Sequence, residues 1–258
     1  MPEHGGYGWK PDTPDSRDYQ FAATLDPATV ALPATVDLRG PNMPDVYDQG
    51  QLGSCTANAW GALMQFERRR LGHTPDFVPA RLFIYYQERV IEHSVAQDSG
   101  AQLRDGAKAL AGSGAPPETD WPYDISTFAH APSAKMTSDA ASHRAVAYGH
   151  VTQTAPQCKA TLAGGNPFVF GFTVYASFES RAVAQSGIVP MPTSGEQIVV
   201  GHAVMACGYD DTAQMFLIRN SWGSGWGQHG YFQMPYTYLL DPHLASDLWR
   251  LTMVDTPS

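Results

Sequence analysis

The chain has 258 residues, 43% of them hydrophobic, and a net charge of −9. That is enough apolar material for one large domain or two smaller ones sharing a cleft. The negative balance argues against a nucleic-acid partner, which would call for a basic face. Three cysteines are too few and odd in number for a disulfide framework. With no Cys-x-x-Cys pair and no His-Glu-x-x-His, neither a zinc site nor any other metal or cofactor is expected. No run of 18 apolar residues suggests a membrane span.

Residues 1–36 are rich in Pro, Asp, Gly and Thr, with Trp9, Tyr19 and Phe21 as scattered aromatics. This composition predicts an irregular arm lying on the body. The opening residues, which include His4, have no basic and apolar leader pattern, so no signal peptide is expected. Pro33 to Arg39 reads as the entry to the folded domain. The stretch Gln49 to Ala59 then combines a turn at Gly50 and Gly53 with a cysteine and the start of a helix over Thr56–Arg70, whose apolar residues recur at helical spacing. Ser54 is the expected N-cap. Cys55 would sit at the positive end of the helix dipole, which should lower its thiol pKa and favour a nucleophile. The run Arg68–Arg70 suits the other end of the helix.

Helices are expected over Pro79–His93 and Gly100–Leu110, followed by a Pro-rich loop over Gly114–Tyr123. From Tyr148 the pattern changes. Strands are expected at Tyr148–Thr154, Phe168–Val174, His202–Tyr209, Met215–Arg219 and Gly230–Met234, with a short helix over Gln157–Ala163. A helical part followed by a strand-rich part is an α+β pattern. Gly225-x-Gly227-x-x-Gly230 matches a dinucleotide fingerprint, but a strand follows it where a helix is required, which rules that reading out.

A cysteine nucleophile needs a base, and the base needs a group to orient it. Among nine histidines, His202 is best placed: it opens a strand directly after Gly201. Asn220 could accept the Nδ1–H of His202 and fix its tautomer, with Trp222 shielding that bond from water. Cys158 and Cys207 read as buried packing residues.

Three stretches in order then resemble the papain-like cysteine peptidases: Gln49-Gly50-x-x-Gly53-Ser54-Cys55; Gly201-His202-Ala203-Val204 with Gly208-Tyr209; and Asn220-Ser221-Trp222-Gly223-x-Gly225-Trp226-Gly227 with Gly230-Tyr231. The likeness spans about residues 33 to 235, and the arm, with Gly8–Asp12 and Arg17-Asp18, looks like that of bacterial members. His202 follows Cys55 by 147 residues, inside the range of roughly 130–150 for such enzymes; Asn220 follows by 165, which predicts an inserted loop between the strands.

The resemblance implies a two-lobed α+β fold: arm 1–36, a helical lobe 37–147 carrying the nucleophile, and a barrel-like β lobe 148–258 carrying His and Asn. It implies Cys55 as nucleophile, His202 as general base and acid, Asn220 as its orienting group, and Gln49 with the Cys55 amide as the oxyanion hole. Gly53 and Ser54 would lie along the substrate. Trp222 would cover the His–Asn pair and Trp226 line the leaving-group side. Ser99 and Gly100 resemble the strip on which substrate backbone pairs, and Gly171 and Ala203 match positions of the main specificity pocket. The implied activity is hydrolysis of peptide bonds through an acyl-enzyme, by a monomer acting on a peptide or protein substrate, without nucleic acid or membrane partner. A silent peptide-binding module and an acyl-transferring enzyme are the alternatives on the same residues. The chain departs from the family at Leu52, where a disulfide cysteine usually stands, at Thr56, and in the reduced Ser99-Gly100 strip. The missing disulfide fits a reducing compartment. The arm is expected to contact the cleft and restrain access.

Overall fold

Strand Phe168–Val174 reads as buried on both faces, and its neighbours organise the molecule. The computed structural model describes residues 6–21 and 26–253, so His4 and part of the arm lie outside the described residues. In chain order the elements are β1 (Trp9–Lys10), β2 (Thr35–Asp37), α1 (Cys55–Arg70), α2 (Arg81–Ile91), β3 (Ala101–Gln102), α3 (Leu103–Gly112), a 3-10 turn (Ile125–Thr127) and α4 (Ala134–Ala140). There follow β4 (Ala147–His150), α5 (Ala155–Ala163), β5 (Phe168–Tyr175), α6 (Arg181–Ser186), β6 (Ile198–Asp210), β7 (Met215–Arg219), β8 (Tyr231–Pro235), α7 (Tyr236–Leu239) and β9 (Ala245–Thr252).

The large sheet runs β4-β9-β5-β6-β7-β8, with β2 also paired to β6, and every pairing in it is antiparallel. This is the expected α+β architecture. β6 is longer than the sequence pattern suggested, because Ile198 and Val200 still pair with β5 across a bulge at Val199. A four-residue turn joins β6 directly to β7, so no loop is inserted between His202 and Asn220, contrary to expectation. β9 escaped the sequence reading because Asp247 and Arg250 interrupt its apolar pattern. Both are buried, and Arg250 pairs with the buried Glu67 at 3.2 Å.

α1 is buried along nearly its whole length, packed on β6 on one side and on α2 and α3 on the other. The Trp60 Nε1–H donates to the Leu103 carbonyl at 3.0 Å and ties α1 to α3. The three arginines at its end serve contacts beyond the dipole: Arg68 lies over the Phe77 ring, Arg69 pairs with Asp76 and Arg70 with Glu67. Register in the sheet then sets the site. Gly171 stands opposite Ala203 and Phe172 opposite His202.

Candidate active site

Cys55 is the first residue of α1 and is fully buried. Ser54 stands at the N-cap position, but its side chain caps nothing. Its Oγ lies 2.6 Å from the Tyr123 hydroxyl and accepts from Asn58 Nδ2 at 3.1 Å, so the expected cap is replaced by a tertiary contact. The Ala203 amide, directly after His202, reaches Cys55 Sγ, which brings the strand and the helix end together.

The His202 ring is buried and its Nε2 lies 2.8 Å from Asn220 Oδ1. That oxygen also accepts the Ser221 N–H at 2.9 Å. An amide oxygen only accepts, so Nε2 carries the hydrogen and Nδ1 keeps a free lone pair. Nδ1 is buried without a partner. The orientation is thus opposite to the expected Nδ1–Asn220 bond, because the ring points its outer nitrogen, Nε2, at β7's end. Trp222 stacks on the imidazole at a centroid distance of 4.9 Å and 23° between planes, and Trp226 packs edge-on against Trp222.

Gln49 is fixed by both ends of its amide. Its Oε1 accepts from Ser221 Oγ at 2.6 Å and its Nε2 donates to the Leu52 carbonyl at 3.0 Å. Nε2 has a second hydrogen, and there the arm comes close: a Cβ on Gly6 would stand 2.8 Å from it.

The arm runs through the cleft. Tyr7 sets its ring edge against His202 and Trp222, both at 5.5 Å. The Gly8 N–H donates to the Gly201 carbonyl at 3.4 Å, and the Gly8 carbonyl accepts from Ala101 at 2.8 Å. Gly8 lies so close to Gly53 and Gly100 that a Cβ on Gly8 would overlap the Gly53 backbone and one on Gly100 would overlap the Gly8 backbone. The Trp9 ring fills the space beside Gly171, where a Cβ would collide with the indole, and it also covers Gly201. β1 pairs with β3 in parallel, Trp9 opposite Ala101.

The structure thus brings Cys55, His202, Asn220, Gln49, Gly53, Gly100, Gly171, Ala203 and Trp222 around one cleft. Trp226 lines its continuation, a groove of about 1350 Å³ shared with Phe178, Glu179 and Val199. Ser54 and Ser99 are turned away, the latter's hydroxyl bonding Ser94 Oγ at 2.9 Å. Cys158 and Cys207 are buried free thiols, at 3.8 and 3.5 Å from the carbonyls of Thr152 and Leu217, as packing residues should be. Among the described residues no group of His, Cys, Asp and Glu could hold a metal ion.

Burial reverses the expected ionisation. It pushes the Cys55 thiol up to about 12, with the nearby Glu88 adding to the rise and the Ala203, Thr56 and Trp9 amides opposing it. Burial likewise pulls His202 down to about 4 against the Asn220 hydrogen bond. Burial thus opposes each ion taken singly, because each would lose its hydration. The helix N-terminus acts in the other direction, toward the thiolate.

Sequence reasoning missed four residues here: Tyr7, Trp9, Asp12 and Asp247. The signal for the last was a lone carboxylate amid Leu244, Ala245, Leu248 and Trp249.

The chain belongs to the papain family of cysteine proteases, whose family model matches residues 32–239. It is a cysteine peptidase. Its fold closely resembles that of xylellain, a cysteine protease from Xylella fastidiosa, with 43% identity, a TM-score of 0.91 and 98% of both chains covered. It is 38% identical to a peptidase C1-like protein of Acanthamoeba polyphaga mimivirus over 97% of this chain and 88% of that one. A cathepsin B-like protein of Giardia intestinalis is 29% identical over 74% of this chain and 64% of its own length.

Proposed function

We propose that Cys55 attacks the substrate carbonyl as a thiolate and that His202 Nδ1 takes the thiol proton. Asn220 holds Nε2–H, so the ring presents Nδ1 in the acceptor tautomer and stabilises the imidazolium that forms. The Cys55 amide and Gln49 Nε2 receive the oxyanion of the tetrahedral intermediate. Nδ1–H then protonates the departing amine, and water, activated by the same nitrogen, releases the acyl group from Sγ. The observation that carries this reading is the 2.8 Å Nε2–Asn220 contact, which leaves a buried, unpaired Nδ1 one residue from the Ala203 amide on Cys55 Sγ. A thiol-directed peptidyl epoxide should modify Cys55 alone in the wild type and fail to do so in His202→Ala, by peptide mapping. Equal labelling of both proteins would overturn the assignment.

The same reading makes residues 6–12 a restraint on the cleft. In a substrate, the acyl residues that fill the specificity pocket precede the leaving-group residues in the chain. The arm runs the other way: Tyr7 lies against Trp222 and Trp9, later in the chain, lies on Gly171. Its peptide bonds therefore reach Cys55 with reversed polarity, so the arm blocks the cleft without being cleaved. Residues 37–147 serve as the nucleophile-bearing part and 148–258 as the part bearing base and orienting group.

A further inference from the structure

Beyond Trp9 the arm is fastened by two carboxyl groups. Asp12 Oδ1 accepts the Arg104 N–H at 3.1 Å and Oδ2 accepts Trp249 Nε1–H at 2.7 Å. Asp247 Oδ2 accepts both Trp9 Nε1–H at 3.1 Å and the Asp12 N–H at 2.8 Å. Asp247 lies where β9 gains a residue on β5, at a φ of +58°. Such a bulge re-aims a side chain, here toward the arm. These four donors are neutral N–H groups, joined at Asp247 by the equally neutral Ser246 side chain. The one nearby guanidinium, Arg104, is committed to the Asp18 carboxylate and the Thr13 carbonyl. Two carboxyl groups without a dedicated cation, removed from water and close together, resist double ionisation.

We propose that Asp12 and Asp247 form a proton-operated latch: protonated, the pair holds residues 8–12 in the cleft, and ionised, it releases them. The proposal rests on the reading of the arm as a restraint and names what regulates it. Burial, with Asp247 as the next cause, raises Asp12 to about 7, against the Arg104 and Trp249 hydrogen bonds. Asp247 is raised too, chiefly by burial. His150, on β4, faces Asp247 and Asp18; burial lowers it from 6.5, and its charge when protonated opposes the rise of Asp247. Lys10 is turned away to Glu92 at 2.6 Å. The Cys55–His202 pair carries one proton whether as neutral thiol and imidazole or as thiolate and imidazolium, so it contributes no slope of its own between those limits.

The sign follows. A carboxyl whose pKa is higher in the seated arm than in the released one favours seating at low pH. Release grows as pH rises and levels off above the seated pKa. For one proton the population of released arm rises roughly tenfold per pH unit between the two pKa values.

Hydrogen exchange of the Ala101 amide, which donates to the Gly8 carbonyl, reads the latch in the full chain. After correction for intrinsic exchange, wild-type protection should fall about tenfold per unit from pH 5 to 7 and then flatten. Asp12→Asn should stay protected at pH 8 without a slope, since its amide carries no charge beside Asp247 and its oxygen still accepts from Trp249. Asp247→Asn should do the same and serves if the first variant disturbs the fold. Flat wild-type protection, a wild-type slope in the variants, or loss of protection in both at pH 5 would each overturn the latch. Cys55 labelling on the same samples tests the underlying reading. At pH 8 the wild type should react about tenfold or more faster than Asp12→Asn. Equal rates despite different Ala101 protection would remove the restraint and leave the latch standing.

Discussion

A single methyl group should open this enzyme. Gly8 has a φ of +138°, and a Cβ there would overlap the backbone carbonyl of Gly53 in the turn before α1. Holding a non-glycine residue in such a conformation costs about 1–3 kcal/mol. The two backbone hydrogen bonds to Gly201 and Ala101 are given up on lifting in wild type and variant alike and so cancel in the comparison. The strain alone, about 1–3 kcal/mol, means that Gly8→Ala should raise the population of open cleft by roughly 5- to 150-fold. The assays are kcat/KM on a fluorogenic peptide and the epoxide labelling rate of Cys55, with Ala101 exchange confirming that the arm has lifted. Both rates should rise together while the thermal midpoint of the body changes little. Rates within about twofold of the wild type, with Ala101 deprotected, would refute the argument that the arm limits access.

Gln49→Ala removes one proposed oxyanion donor and should cost about 2.7–4 kcal/mol of barrier, roughly 100- to 1,000-fold in kcat; a kcat within about threefold of wild type would exclude that role. Cys158→Ala and Cys207→Ala should keep kcat/KM within about twofold, since neither thiol reaches the cleft; inactivation at unchanged stability would contradict this. Glu88 is fully buried beside Thr56, and burial first, with Glu92 and Asp105 assisting, raises its carboxyl well above the ordinary 4.5. The unfolded chain gives up that proton more readily, so wild-type stability falls as pH rises from about 4.5 toward the folded value. Glu88→Gln should therefore gain on the wild type in thermal midpoint more at pH 8 than at pH 5, by about 2–4 °C per kcal/mol relieved; a constant difference at both pH values would show that Glu88 carries its charge in the fold.

Much of the site was legible because its chemistry is local. Gly53-Ser54-Cys55 before an amphipathic run announces a cysteine at a helix start. Gly201-His202 opening a β-rich stretch announces a base on a strand, and Asn220 follows after a hairpin's length. The strand Met215–Arg219 coincides with β7, since alternation and flanking turn residues are also local. Where the reading slipped, a distant partner had intervened. Ser54 lost its capping role to Tyr123, 69 positions away. β9 is a strand despite Asp247 and Arg250, because Trp9 and Asp12 donate hydrogen bonds to Asp247 and Glu67 pairs with Arg250 from elsewhere in the chain.

The sequence by itself named the candidate groups Cys55, His202, Asn220 and Gln49 and the order in which they occur, because residue identity and hydrophobic period are properties of neighbours along the chain. Only the tertiary structure decided which imidazole nitrogen meets Asn220, that the arm runs backward over the cleft, and that the thiol beneath it is buried. Those outcomes depend on burial and on contacts as remote as Trp9 with Asp247. In water the N-terminus of α1 would favour a thiolate; under Trp9 the lost hydration of the ions opposes it.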